Sequence, residues 1–173
     1  MSKQKIVGLE SGDVSIVSFL NEINVDLKAK EHLDYRFQCC EKRSSHSSHT
    51  CEHGMMDLVI EAWKDPDNRS DFNVMVVSMA HYGEMNGDLM RDPDVVFKVY
   101  QMGNDIQGNP IVHVRMVSYR NDYVGVFQES MKYGENGEIL VSKKLQKEQK
   151  SFLLQFIRNV KAQKYTPVRK VEA

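Results

Sequence analysis

Apolar positions along the chain change period twice, and the changes predict its elements. Ile16, Phe19, Leu20, Ile23 and Leu27 recur at spacings of three and four, which places them on one stripe of an amphipathic helix. Ser11 and Asp13 are the cap candidates, and the helix is expected over residues 10–29. Residues 37–54, FQCCEKRSSHSSHTCEHG, contain four serines and no period, and they read as a loop. Five strand-like segments follow: Met55 to Trp63, Asn73 to His81, Asp94 to Met102, Ile111 to Tyr119 and Tyr123 to Met131. In the third, Val95, Phe97 and Val99 oppose Val96, Lys98 and Tyr100; in the fourth, Val112, Val114 and Met116 oppose His113 and Arg115. One face is therefore buried and the other partly wet.

The connections between these segments, DPDNRSD, GNDIQGNP and YRND, are too short for parallel crossovers and carry hairpin-turn residues. After the turn GENG, Leu145, Phe152, Leu153, Phe156, Ile157 and Val160 fall within about 140° of one another around a helix. That helix is expected over 142–164, with a basic tail over 165–173. The pattern predicts one α+β domain over 1–173: a five-stranded antiparallel meander over 55–131, flanked by an N-terminal and a C-terminal amphipathic helix.

Charge adds an asymmetry. The net charge is -1, yet residues 143–173 hold nine Lys or Arg against two Glu, and the first 142 residues hold fourteen against twenty-two. Lys143, Lys144, Lys147, Lys150, Lys161 and Lys164 cover much of the last helix and are candidates to neutralise phosphates of DNA or RNA. From Glu52 to Asp94 there are ten acids against three bases. Glu84, Asp88, Asp92 and Asp94 are the candidates there for contact with a basic partner. The alternative for both sets is a solvated face. No apolar run is long enough for a signal peptide or a membrane span, so a cytoplasmic protein with no membrane partner is expected.

Candidate chemistry is sparse. Cys39, Cys40, His49, Cys51 and His53, with His46 nearby, offer zinc ligands, but their spacing matches no standard finger or ribbon. The competing reading is a solvated loop whose cysteines serve as small apolar residues. Three cysteines, two of them adjacent, make a poor disulfide framework. HYGEMNGDLMRDPD brings His81 near Glu84, Asp88, Asp92 and Asp94, a set able to hold a hard cation or act as acid and base. NGD and RDPD are also turn formers. GxGxxG, P-loop, GxSxG and HExxH patterns are absent, and no enzyme activity or cofactor is expected beyond the zinc alternative.

The segments MMDLVIE, SMAHYGEMNGDLMRDPDVVFKVY and PIVHVRMVSYRNDYVGVFQE, with the closing helix, resemble an uncharacterised domain family encoded on bacterial phages, plasmids and integrated elements. The resemblance covers about residues 55–160, supports the fold, and brings no catalytic residues. It implies a non-catalytic binding protein of a mobile element, expected to inhibit a host defence system in the manner of an anti-CRISPR, with a Cas nuclease such as Cas9 as the host partner. The alternatives are a nucleic-acid-binding accessory protein and a zinc-stabilised interaction domain.

Overall fold

In the computed structural model, which describes residues 5–38, 55–163 and 165–167, the first helix buries the expected stripe but ends early. Helix α1 spans Asp13–Glu22. Its stop is local: Asn24 takes a φ of 61°, its N–H reaches the Asn21 carbonyl at 3.1 Å, and the Val25 N–H reaches that of Leu20 at 2.9 Å. These are the two bonds of a Schellman cap. Helix is thus lost over the rest of the 10–29 span, although Val25 and Leu27 remain buried. The N-cap is Gly12, not Ser11 or Asp13.

The remaining elements are β1 (Val7–Gly8), before α1, then β2 (Leu33–Gln38), β3 (Leu58–Lys64), β4 (Asn73–Met85), β5 (Asp88–Asn104), β6 (Pro110–Asn121), β7 (Val126–Glu129), β8 (Met131–Tyr133), β9 (Ile139–Val141), α2 (Lys143–Gln163) and β10 (Thr166–Pro167). The fold is a single α+β domain, but the five-stranded antiparallel meander is corrected to a larger mixed sheet. Seven strands follow the order β1-β6-β5-β4-β3-β2-β10, and an eighth, β7, also pairs with β6. β2 through β6 form a true antiparallel meander, whereas β1 runs parallel to β6.

The differences have physical causes. Leu33, Tyr35 and Phe37 alternate with Asp34, Arg36 and Gln38, so β2 takes two residues from the expected loop over 37–54. β1 and β10 have two residues each, too few to show a period. The expected strand from Tyr123 to Met131 is divided, because Asp122–Gly125 forms a turn with Gly125 at φ 66° and Ser130 leaves the ladder to bond with Val117 and Gln149. β8 then pairs with β9 in a separate two-stranded sheet.

One face of the large sheet carries the core. Ile60, Val77, Phe97 and Val114 meet Ile16, Phe19 and Leu20 of α1 and Leu153, Phe156, Ile157 and Val160 of α2. The α2 residues repeat at three and four, as burial against a flat surface requires. Truncating the fully buried Phe97 to Ala would cost about 3–5 kcal/mol. At its N-terminal half α2 crosses the outer edge of β6, between the stretches paired to β1 and β7. There Gln146 accepts from the Met116 N–H at 2.9 Å and donates to the Met116 carbonyl. A side-chain amide thus stands in for a missing strand.

Candidate functional site

Two charged regions emerge, and each differs from the set its sequence suggested. The first is a hairpin ribbon. Residues 82–85 of β4 and 88–91 of β5 pair with each other beyond the ends of their neighbours, because β3 stops pairing at His81 and β6 at Asp94. The ribbon closes through Asn86 and Gly87, both at positive φ, 54° and 84°, as a type I′ turn needs. NGD is therefore a turn, as expected. RDPD lies inside β5, where Asp92 and Pro93 together face the single residue His81 across a register shift. A proline is tolerated at such a bulge because no ladder bond is asked of it.

The base of the ribbon is braced. Arg91 donates its N–H to Asp122 at 2.9 Å and accepts from the Asp122 N–H at 2.9 Å; its guanidinium also reaches Asp122 at 3.3 Å. The Arg91 N–H, with Arg120, holds the Asp122 carboxyl below the usual carboxylate range. Gly83 packs so closely that a Cβ there would lie 2.3 Å from the Tyr123 hydroxyl. Two of the four candidate acids belong to this bracing. Asp92 accepts from Asn121 at 2.6 Å. Asp94 accepts from Ser78 at 2.8 Å and pairs with Arg91 at 3.6 Å; burial pushes its carboxyl up, against the pull of Ser78 and Arg91. Glu84 and Asp88 are exposed and point to opposite faces of the ribbon, since Glu84 pairs with Leu89 and Asp88 with Met85. The tip also exposes Met85 at 45% and Leu89 at 52%. His81 does not join the acids: it is packed edge-on to Phe156, with Nε2 3.0 Å from the Tyr165 hydroxyl, and burial pulls it down to about 4.

The second region is a groove of about 630 Å³ between the N-terminal half of α2 and the β6 edge. Lys143, Lys147 and Lys150 line it at i, i+4 and i+7, together with Arg115 from β6, Gln146, Ser11, Ser151, Val141 and Leu154. Lys150 is not a free cation. Its ammonium lies 2.7 Å from Asp13 and 2.8 Å from Glu10, and Asp13 is fully buried. Burial pushes the Asp13 carboxyl up, but bonds from His113, Lys150 and the Glu10 N–H outweigh it and hold it low. Arg115 donates through Nε to His113 Nε2 at 3.1 Å, which places the ring proton on Nδ1, 3.2 Å from Asp13.

Glu10, Asp13 and His113 are close enough to share a metal ion. The Lys150 ammonium, however, already lies against both carboxylates, and the triad is neutralised from within. Of the other candidate lysines, Lys144 pairs with Glu148 at 3.9 Å and Lys161 with Glu22 at 2.7 Å, far along the helix from the groove. Lys164 and the zinc candidates Cys39, Cys40, His49, Cys51 and His53 lie outside the described residues. Sequence reasoning missed Arg115 and Gln146 as parts of the groove; the only signal for Arg115 was its place on the wet face of an alternating strand.

Among the described residues, no helix is long and apolar enough to cross a membrane. No curated protein and no solved structure matches the chain. A family model does match, over residues 29–166; this span is wider than the resemblance over 55–160, and it takes in β2 and the Cys and His cluster. With most of its length and every strand of the meander inside that match, the chain belongs to the family described as a domain of unknown function, DUF6908.

Proposed function

We propose that the protein is a non-catalytic binding module that inhibits a host defence nuclease, with the β4–β5 ribbon as its contact. The observation that carries this reading is the tip itself: Met85 and Leu89 half exposed beside Glu84 and Asp88, on a ribbon held stiff at its base by Arg91, Asp122 and Tyr123. A stiff projection loses little freedom on docking. Its acids complement the strongly basic channel that an RNA-guided nuclease uses for nucleic acid. The resemblance to a family carried on phages and plasmids supports a counter-defence role on a mobile element. A non-catalytic role is supported by the polar network of Asp13, His113 and Arg115, in which both ring nitrogens of His113 are engaged within the fold.

The test is inhibition of target-DNA cleavage by purified Cas9, with the protein added before or after guide loading. Inhibition is expected with the unmodified protein and is expected to be lost in the double variant Glu84→Lys, Asp88→Lys. Undiminished cleavage at a large molar excess of folded protein overturns the Cas9 assignment. Equal inhibition by the double variant removes the ribbon from it.

A further inference from the structure

A second binding site follows from the groove, and it stands independently of the ribbon. We infer that the groove between α2 and the β6 edge binds the phosphate of a nucleotide unit, free or within a single strand. Its cations come from two elements, Lys143 and Lys147 on α2 and Arg115 on β6. Among the described residues, none of the three has a carboxylate within ion-pairing distance. Among the described residues the one acid that lines the groove, Glu10, is engaged by Lys150 at 2.8 Å. Lys150 thus supplies an internal counter-charge and leaves the other three cations unbalanced on one concave surface.

This arrangement opposes the preferences of the helix. Lys143 and Lys147 are like charges at i, i+4, which repel, and the first turn of α2 holds no acid, where an acid would suit the macrodipole. An anion in the groove relieves both. The volume of about 630 Å³ lies in the range of small-ligand sites and is too small for a duplex. Ser11 and Ser151 add polar groups, while Val141 and Leu154 supply apolar surface for a sugar or a base. The lining from Lys143 to Leu154 runs about 16 Å along the helix, long enough for consecutive phosphates of an extended strand.

The experiment is fluorescence anisotropy of the full chain with a labelled oligo-dT strand, the matching duplex and a labelled mononucleotide triphosphate, each over a range of salt. Three phosphate contacts on a single strand give a slope of about -2 in log affinity against log salt. The double variant Lys143→Glu, Lys147→Glu is expected to lower affinity by at least about tenfold and to flatten that slope. Both side chains are exposed and an acid at 143, in the first turn of α2, is favourable, so this variant is expected to stay folded, which circular dichroism checks. Arg115→Gln tests the β6 side with a smaller loss. Lys144→Glu, next to the groove and paired with Glu148, is expected to retain binding.

Binding of the strand alone assigns the site to nucleic acid, and binding of the triphosphate at comparable affinity assigns it to free nucleotides. No binding of either at low salt overturns the proposal. So does an equal loss in Lys144→Glu and the double variant, because diffuse surface charge then accounts for the affinity. Absence of nuclease inhibition by the unmodified protein, where it still binds the strand in anisotropy, counts against the ribbon alone, and the two proposals can fail separately.

Discussion

The ribbon and the groove carry opposite charge, yet the same rule divides each of them. On the ribbon, Asp94 and Asp92 sit where β5 joins the sheet and are bonded to Ser78, Arg91 and Asn121. Glu84 and Asp88, at the far end, face water. On α2, Lys150 meets α1 and is held by Asp13 and Glu10, whereas Lys147, one turn nearer the N-terminus, lines the open groove. A charge near a junction of elements belongs to the fold, and a charge one or two turns away is available to a partner. Counting charges along the sequence therefore overstates both surfaces.

The largest expected effect comes from two of the three lysines that line the groove, Lys150 and Lys147. Lys150→Met leaves Asp13, fully buried, without its cation, and removing one partner of a buried pair costs about 3–5 kcal/mol. Lys147→Met touches no such pair and should stay within about 0.5 kcal/mol of the unmodified protein. Urea midpoints at unchanged m-value measure both. Equal losses would erase the division on α2.

Next is the point where β4 leaves the core. His81 lies mostly buried beneath α2, against the Phe156 ring and the Tyr165 hydroxyl, three residues before the exposed Glu84. Burial disfavours its charged form and pulls it from 6.5 down to about 4. The unfolded chain therefore binds the proton first as pH falls. The stability that neutral His81 contributes is complete above about 6.5 and is lost between there and about 4, on the order of 3 kcal/mol. Denaturation at pH 7 and pH 4.5 should show this loss in the unmodified protein and much less of it in His81→Leu. A flat profile would mean that His81 is wetter than its packing implies.

A smaller effect separates the acids at the two ends of the ribbon. Asp94→Ala strips the Ser78 hydroxyl, itself buried, of its acceptor and frees one side of Arg91. An unpaired buried polar group costs about 1–3 kcal/mol. Asp88→Ala, at the exposed tip, should cost next to nothing, and thermal melts of the pair measure the contrast.

The sequence showed those parts of this architecture that rest on period and local chemistry. The stripe Leu153, Phe156, Ile157 and Val160, the alternation in β5 and β6, and the Asn86–Gly87 turn were all readable, because each is set by neighbours within a few residues. The early stop of α1 was also written locally, in Asn24, but a residue in the left-handed conformation competes in the reading with a continuing apolar stripe. What stayed hidden depends on distant partners. Lys150 and Asp13 are 137 residues apart, and nothing near Lys150 marks it from Lys147. Arg91 and Asp122 are 31 apart, so the acids that Arg91 and Asn121 absorb looked as free as Glu84. β1 becomes a strand only because β6 offers an open edge at Ile111 and Val112.

The smallest expected effect is the one on which the ribbon's role turns. Glu84→Lys with Asp88→Lys alters two exposed side chains that point to opposite faces and have no hydrogen bond or ion pair among the described residues. Stability should change by no more than about 0.5 kcal/mol, because the ladder bonds, the turn glycine and the Arg91–Asp122 brace are untouched. The m-value should also hold, since no surface is newly exposed in the folded state. A loss above about 1 kcal/mol would show that the tip acids do stabilise the hairpin, as surface substitutions remote from structure do not. The outer half of the ribbon would then resemble its inner half, and charge at the tip would be part of the fold after all. Unchanged stability, with binding to a basic partner abolished, is the outcome in which the division between structural and available charge holds along the whole ribbon.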